Sequence, residues 1–286
     1  MLINATSAKV LVLGSTGRLG SMLRRHWRAE AGLALWHGRK MTEGVDLAFD
    51  LLAPSALPQI GVVDSVVALA GIVPGAGDLS RNTNLAVASV RLGVELGARH
   101  VFVSSSAAVY GAGPKAFTET PRPTPSHPYG TEKLAMEDAA LAVGAQLGIG
   151  VTALRIGNIA GADALLAQSG SVRVLDQFAD GNGPVRSYLG PRAFADLLCA
   201  LCACAQRGQT LPDRLNLALQ GAVSMADLCH HAGLRVNRRP APPSALAKVE
   251  LDVSRLCTVL GRAPAELAAD PAAIIADWRA DLDLMD

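Results

Sequence analysis

Residues 10–13, Val-Leu-Val-Leu, run straight into Gly14-Ser-Thr-Gly17-Arg-Leu-Gly20. A short apolar strand here ends in a glycine turn and opens a helix. The first N–H groups of a helix lack intrahelical partners, and the helix dipole adds positive potential at that end. Such a terminus suits a pyrophosphate. Gly14 allows the sharp turn, Gly17 the close approach of backbone to phosphate, and Gly20 the tight packing of helix on strand. The spacing is G-x-x-G-x-x-G, not the commoner G-x-G-x-x-G, and three glycines also make ordinary strand-to-helix turns. The strand before the motif and the amphipathic run after it favour a dinucleotide. Gly14, Thr16, Gly17, Arg18, Leu19 and Gly20 are the candidate contacts on this turn.

Strand-like and helix-like runs alternate through the first half of the chain. After strand 10–13 the pattern predicts a helix over 18–30, a strand over 33–36, a third over 45–49 and a nearly continuous apolar fourth over 62–70. A helix over 84–96, a strand over 101–104, a helix over 131–147 and a strand over 151–156 follow. Such alternation predicts a parallel sheet covered on both faces, with ligands at the carboxyl ends of its strands. Beyond residue 157 Gly and Pro become frequent, as in Gly181-Asn-Gly-Pro184 and Pro240-Ala-Pro-Pro243. A helix, a strand over 215–219 and an amphipathic tail helix over 272–284 complete the reading. The expected division is a dinucleotide-binding domain over 1–157 and a smaller substrate lobe over 158–286, with 192–219 returning to the main domain.

Half of the 286 residues are hydrophobic, ample for a buried core, and the formal net charge is only +1. Basic residues are scattered, which argues against a nucleic-acid surface. No charged-then-apolar leader opens the sequence and no apolar run reaches the roughly 18–20 residues of a membrane span. The expected location is the cytoplasm. Cys199, Cys202 and Cys204 crowd together, but no further Cys or His sits at a zinc-site spacing. Cys199 and Cys202 share a helix face while Cys204 points elsewhere, and buried free thiols are the expectation. No metal is expected, and His230-His231 reads as a solvated helix-end pair.

Two further patterns carry chemistry. In Tyr129-Gly-Thr-Glu-Lys133 the phenol and the ammonium lie four apart, on one face of a helix. A phenol ordinarily ionises near pH 10. A neighbouring ammonium and an oxidised nicotinamide would both lower that value and make Tyr129 a usable acid/base. In Val101-Phe-Val-Ser-Ser-Ser-Ala-Ala-Val-Tyr-Gly111 a hydrophobic strand delivers hydroxyls at its carboxyl end, where one could bond the reacting alcohol or carbonyl. Each pattern also has a plain structural reading, an exposed helix start or a capped turn.

Together these motifs resemble the extended short-chain dehydrogenase/reductase superfamily, in its NAD(P)-dependent epimerase/dehydratase branch. The likeness runs from Gly14-x-x-Gly17-x-x-Gly20 through Ser104-Ser-Ser-Ala-Ala-Val-Tyr-Gly and Pro128-Tyr-Gly-x-x-Lys133 to Leu154-Arg-Ile-Gly-Asn158. It implies an α/β fold: a Rossmann-type doubly wound parallel sheet with a smaller C-terminal substrate-binding lobe. It also implies nucleotide-diphosphate sugars as substrates and a homodimer as assembly. By position, Tyr129 would be the acid/base and Ser106 its hydroxyl partner. Lys133 would hold the nicotinamide ribose and tune Tyr129. Ala70 and the pair Asp50-Leu51 would meet the dinucleotide, and Asn158 and Arg186 the substrate, Arg186 gripping its diphosphate. Asn82 and Asn84 both compete for a supporting role.

Three departures qualify the resemblance. The second strand ends in Trp36-His-Gly-Arg-Lys40, with Arg39 and Lys40 where an NAD site carries an acid, so NADP is favoured over NAD. Gly190-Pro-Arg-Ala-Phe and Arg239-Pro-Ala-Pro replace two family elements of the substrate lobe. The residues after Ser106 are Ala107 and Ala108, which argues against dehydration. Epimerase and NADPH-dependent carbonyl reductase both stand as readings, beside a non-catalytic NADP-binding sensor or scaffold.

Overall fold

Strands apolar on both faces need cover from both sides, and the helices between them supply it. The computed structural model describes residues 10–28, 33–53, 60–113 and 115–285. In chain order the first elements are β1 (Val10–Leu13), α1 (Arg18–Trp27), β2 (Ala34–Gly38), β3 (Leu47–Ala48), β4 (Ser65–Ala68), α2 (Arg81–Glu95) and β5 (His100–Ser106). They continue with α3 (Pro128–Leu147), β6 (Gly150–Ile156), β7 (Asn158–Ile159), β8 (Val172–Gln177), β9 (Val185–Arg186), β10 (Tyr188–Leu189) and α4 (Pro191–Gln206). The last are β11 (Arg214–Leu217), β12 (Val223–Ser224), α5 (Met225–His231), β13 (Arg235–Pro240), β14 (Lys248–Val249), α6 (Ser254–Leu260) and α7 (Pro271–Asp283).

Seven strands form one sheet in the order β11-β6-β5-β4-β1-β2-β3. β1 pairs in parallel with β2 and β4, β2 with β3 and β4 with β5. The sequence order reverses at β1, so the switch point lies between β1 and β4, where a doubly wound sheet binds ligands beyond its carboxyl ends.

The chain divides into two compact units. The first holds the described residues up to Ser105, with Thr131–Leu154 and Ala195–Leu215. Its core joins Leu11 and Leu13 of β1, Val66 of β4, Val101 and Val103 of β5, Val90 of α2 and Met136 of α3. Trp27 Nε1 donates to the Ala195 carbonyl at 3.2 Å, tying the return segment to α1. The second unit holds Ser106–Gly130, Arg155–Phe194 and the described residues from Asn216 onward. Its small sheets are β10-β7, β12-β9-β14 and β13-β8. Leu165, Leu175, Tyr188, Leu228, Ile274 and Ile275 make its core.

Several element bounds differ from expectation. The third strand condenses to Leu47–Ala48 because Asp46 meets Trp36 with its side chain as well as its N–H. The fourth contracts to Ser65–Ala68, and Val62 is exposed. The helix expected from 84 starts at Arg81, after a turn in which Asp78 accepts both the N–H and the hydroxyl of Ser80. Helix α1 ends at Trp27; residues 29 and 30 of the expected helix lie outside the described residues. Cys204 and Cys202 are buried, while Cys199 is half-buried. Helix α4 also buries Leu197, Leu198 and Leu201, so its apolar side is wider than one stripe. All five thiols are free, and burial pushes the Cys202 thiol up. His230 and His231 are exposed. Among the described residues no cluster of three His, Cys, Asp or Glu could hold a metal, and no helix is long and apolar enough to cross a membrane.

Candidate active site

In the first unit, β1 ends at Gly14 with φ +83°, a left-handed conformation that side chains rarely adopt. A Cβ there would lie 2.6 Å from the Ala70 amide nitrogen, so Ala70, after β4, packs directly on the turn. A Cβ on Gly20 would lie 2.4 Å from the Gly14 carbonyl oxygen, which explains why α1 begins so close to the strand. Gly17 differs: its φ is −74°, and a Cβ would meet only the Gly14 oxygen, at 3.4 Å. What Gly17 leaves bare is the outer side of the loop. No side chain caps the start of α1 and its first turn holds no acid. Thr16 and Arg18 are exposed and Leu19 is half-buried. A bare glycine cradle on an uncapped helix terminus fits a dinucleotide pyrophosphate.

Around this turn, Arg39 and Lys40 follow β2 as exposed side chains. His37, on β2, is buried against Phe49, and its ring bonds the Phe49 carbonyl at 3.0 Å. Burial lowers its basicity, so it adds no fixed charge at neutral pH. Asp50 is exposed and turns one oxygen to the Leu52 N–H at 2.9 Å, while Leu51 is buried.

Asn82 and Asn84 separate cleanly. Asn82 is buried; its oxygen accepts the Ile72 N–H at 2.9 Å, and its amide donates to Ile72 and Leu79 carbonyls at 3.0 and 2.9 Å. It therefore pins the segment after β4. Asn84 is exposed. Lys133 is also buried, donating to the Ser104 carbonyl at 2.7 Å. Burial drags its ammonium down to about 8, with Glu137 acting the other way. Lys133 is one turn along α3 from Tyr129.

The second unit carries the hydroxyls. Ser106 caps the short turn Ala107–Val109, accepting the Ala108 N–H at 3.1 Å, and bonds Tyr129. Gly130 permits this: a Cβ there would sit 2.1 Å from the Ala108 carbonyl oxygen, so the start of α3 lies hard against the Ser106 turn. The expectation of a depressed Tyr129 pKa is corrected for the protein alone. Burial of the half-exposed phenol raises it, and the Ser106 hydrogen bond offsets only part. Desolvation favours the neutral phenol.

Ser106, Ala108, His127, Asn158, Arg186 and Leu246 line one cavity of about 200 Å³. Its charged or ionisable lining groups are a histidine and an arginine, so it favours an anion. Arg186 is held ready: Nη1 donates to the Val185 and Ala247 carbonyls at 2.8 and 3.2 Å, and Nη2 to Leu246 at 2.7 Å. Burial lowers its basicity, and these carbonyl dipoles replace part of the lost water. Asn158 bonds Tyr188, whose hydroxyl donates to Asp163 at 2.5 Å. Burial raises the Asp163 carboxyl. A larger cavity, about 320 Å³, opens in the first unit beside His100 and Gly150. It lies at the amino ends of β5 and β6, opposite the strand ends that bind ligands in such sheets.

Sequence reasoning missed three contributors. Glu137 and Asp163 sit in stretches with no motif of their own, and Tyr188 lies two residues after Arg186. Glu137 had one available signal, its spacing of four from Lys133.

The model of the NAD dependent epimerase/dehydratase family matches residues 10–186, more than half of the chain. The UDP-glucose 4-epimerase of Azospirillum brasilense is 34% identical over 183 residues, covering 56% of this chain and 51% of that protein. The match thus spans about half the length of that relative. Among solved structures, MoeE5 in complex with UDP-glucose and NAD aligns with a TM-score of 0.74 at 23% identity, over 96% of this chain and 100% of that one. The UDP-N-acetylglucosamine 4-epimerase from Bacillus cereus aligns at 0.75 and 17%, over 98% and 97%. At these identities the likeness establishes the fold, a doubly wound α/β sheet with a smaller second unit. With the glycine cradle, the Ser106–Tyr129 pair and Lys133 in place, the family match over residues 10–186 makes this chain a member of the NAD-dependent epimerase/dehydratase family.

Proposed function

We propose that this protein is an NAD(P)-dependent oxidoreductase of the epimerase type, acting on a nucleotide-diphosphate sugar. The observation that carries the reading is the Ser106–Tyr129 hydrogen bond at a cavity that also holds Asn158 and Arg186. Gly14, Thr16, Gly17, Arg18, Leu19 and Gly20 would hold the pyrophosphate, with Ala70, Asp50 and Leu51 lining the remainder and Lys133 bonding the ribose. In this reading 1–157 serves the dinucleotide and 158–286 the substrate, with 192–219 returning to the first. When bound, a nicotinamide dinucleotide supplies the acceptor and donor of hydride.

Tyr129 exchanges the proton of the substrate hydroxyl, and Ser106 bonds the same oxygen while its own Oγ is fixed by the Ala108 N–H. Arg186, preset by three carbonyls, pairs with the diphosphate. Asn158 orients the substrate beside it. A cavity of about 200 Å³ admits a sugar ring but not a whole nucleotide sugar, so the nucleotide extends beyond it. Ala107 and Ala108 offer no carboxylate beside Ser106, which speaks against dehydration.

Arg39 and Lys40 support NADP over NAD and favour a second reading, an NADPH-dependent carbonyl reductase on another substrate. The five free thiols suit a reducing compartment such as the cytoplasm, and a homodimer follows only from the family resemblance. Denaturing the freshly purified protein and identifying any released dinucleotide separates the readings. Retained NAD(H), with interconversion of a UDP-hexose and its C4 epimer, supports the epimerase. An empty protein that takes NADPH and fails with every nucleotide sugar overturns it. Tyr129→Phe should abolish turnover while leaving dinucleotide affinity nearly intact; a sensor output surviving that change would favour a scaffold.

A further inference from the structure

The carboxyl end of β5 carries three serines, and the proposed reaction uses only Ser106. The other two hold α3. The Ser104 carbonyl accepts from Lys133 Nζ at 2.7 Å, and Ser105 Oγ donates to Glu137 Oε1 at 2.5 Å. Successive strand residues thus grip side chains one helical turn apart.

Glu137 is fully buried. Its second oxygen accepts Arg214 Nε at 3.1 Å from β11, while Arg214 Nη2 bonds Asp138 at 2.7 Å. The Arg214 side chain is partly exposed and already has Asp138 as a counterion. A fully buried carboxylate is costly, and an apolar side chain of similar size would serve packing as well or better. Lys133, one helical turn back on α3 and itself buried, is a second cation, and Glu137 opposes the effect of burial on its charge. Glu137 on its own helix and the Ser104 carbonyl of β5 both act on Lys133. Met136 Sδ lies at 3.7 Å, and Gly71, beside the neutral Asn82, lies close to Nζ. Arg214 and Asp138 meet this group at Glu137, where Arg214 bonds both carboxylates.

We propose that Glu137 is a positioning residue for Lys133, keeping its ammonium charged and fixed against the Ser104 carbonyl. Tyr129, Lys133 and Glu137 then form a run of three at helical spacing, in which the carboxylate holds the ammonium and the ammonium tunes the phenol. The last link rests on the reading of Lys133 and Tyr129 given above. The direction of the Lys133 shift agrees: burial lowers it, and Glu137 is the opposing charge.

The chain has only five lysines, Lys9, Lys40, Lys115, Lys133 and Lys248, so each can be followed by NMR of ¹⁵N-lysine-labelled protein without dinucleotide. Lys133→Arg assigns the Lys133 signal. Glu137→Gln should lower the Lys133 midpoint by roughly one unit, as loss of a close opposite charge does. Glu137→Asp should restore part of that shift. Arg214→Gln, which frees Glu137 from its competing cation, should raise the midpoint. Opposite signs from the two variants are the signature of a shared carboxylate. An unchanged midpoint in Glu137→Gln, or shifts of the same sign in both, overturns the proposal. Should Glu137→Gln fail to fold, Arg214→Gln decides alone, and no rise there overturns it. In turnover, Glu137→Gln should move the alkaline limb of kcat to lower pH with KM for the sugar unchanged. A shifted Lys133 midpoint with an unmoved limb would support Glu137's role and overturn instead the coupling of Lys133 to Tyr129.

Discussion

Replacing each glycine of the cradle by alanine separates folding from binding. Gly14→Ala forces a side chain into φ +83°, which costs about 1–2 kcal/mol by handedness alone. Its Cβ would also lie 2.6 Å from the Ala70 nitrogen and 2.7 Å from its Cα, backbone atoms that cannot swing aside. Overpacking of that kind adds about 1–3 kcal/mol. Gly20→Ala has an ordinary backbone but meets three backbone atoms at 2.4–2.8 Å, for about 1–3 kcal/mol. Gly17→Ala meets one atom at an ordinary 3.4 Å, and its φ of −74° suits alanine. Its stability should fall by only about 1 kcal/mol, the cost of a poorer N-cap. Its methyl group would instead stand where the phosphate approaches. Thermal unfolding followed by circular dichroism should show Tm falling by roughly 4–20 °C for Gly14→Ala, from about 2–5 kcal/mol at 2–4 °C per kcal/mol, and by a few degrees or less for Gly17→Ala. Titration calorimetry with NAD and NADP should show Gly17→Ala at least tenfold weaker, about 1.4 kcal/mol. A Gly17→Ala protein that melts as low as Gly14→Ala, or binds dinucleotide as wild type, would refute the reasoning.

Arg186→Leu should raise KM for a nucleotide sugar tenfold or more while dinucleotide affinity holds, because the cavity loses its arginine and three carbonyls lose their donor. Steady-state kinetics against direct dinucleotide binding checks the split. Tyr188→Phe removes the hydroxyl between Asn158 and Asp163, and should cost about 1–3 kcal/mol by leaving a buried acceptor short of a donor, with a raised sugar KM. Denaturant melts and KM measured together test it. His100 is held neutral by burial, with its pKa lowered to about 4. The unfolded state therefore binds the extra proton first, so stability is full above about pH 6.5 and falls as pH drops towards 4. The loss approaches about 3 kcal/mol, and His100→Asn should flatten unfolding free energy over that window.

Local covalent constraints were legible in the sequence, and three-dimensional meetings were not. The glycine cradle could be read because φ, Cβ clearance and helix start act within eleven residues, 10–20. The sheet could be read because strands covered on both faces are apolar along their whole length. Sequence spacing does not separate Asn82 from Asn84, because the choice depends on where the helix starts. Starting at Arg81, it buries Asn82 in its first turn and turns Asn84 outward. The two-residue strands β7, β9, β10, β12 and β14 carry no periodicity, since each is defined by a partner distant in sequence. The raised phenol of Tyr129 also escaped, because desolvation depends on what packs around a side chain and not on its neighbours in the chain.

The same distinction bears on how each unit holds its buried cation. Lys133 and Arg186 are both largely buried cations, and each is met first by backbone carbonyls: Ser104 for one, Val185, Leu246 and Ala247 for the other. A carbonyl fixes the direction of an N–H without neutralising the charge behind it. The cation then stays oriented and keeps its charge. A carboxylate bonded directly to Arg186 would have spent that charge inside the protein. On this logic the positions that matter most for ligand affinity include carbonyl-bearing backbone segments, such as 246–247, whose side chains no motif would single out.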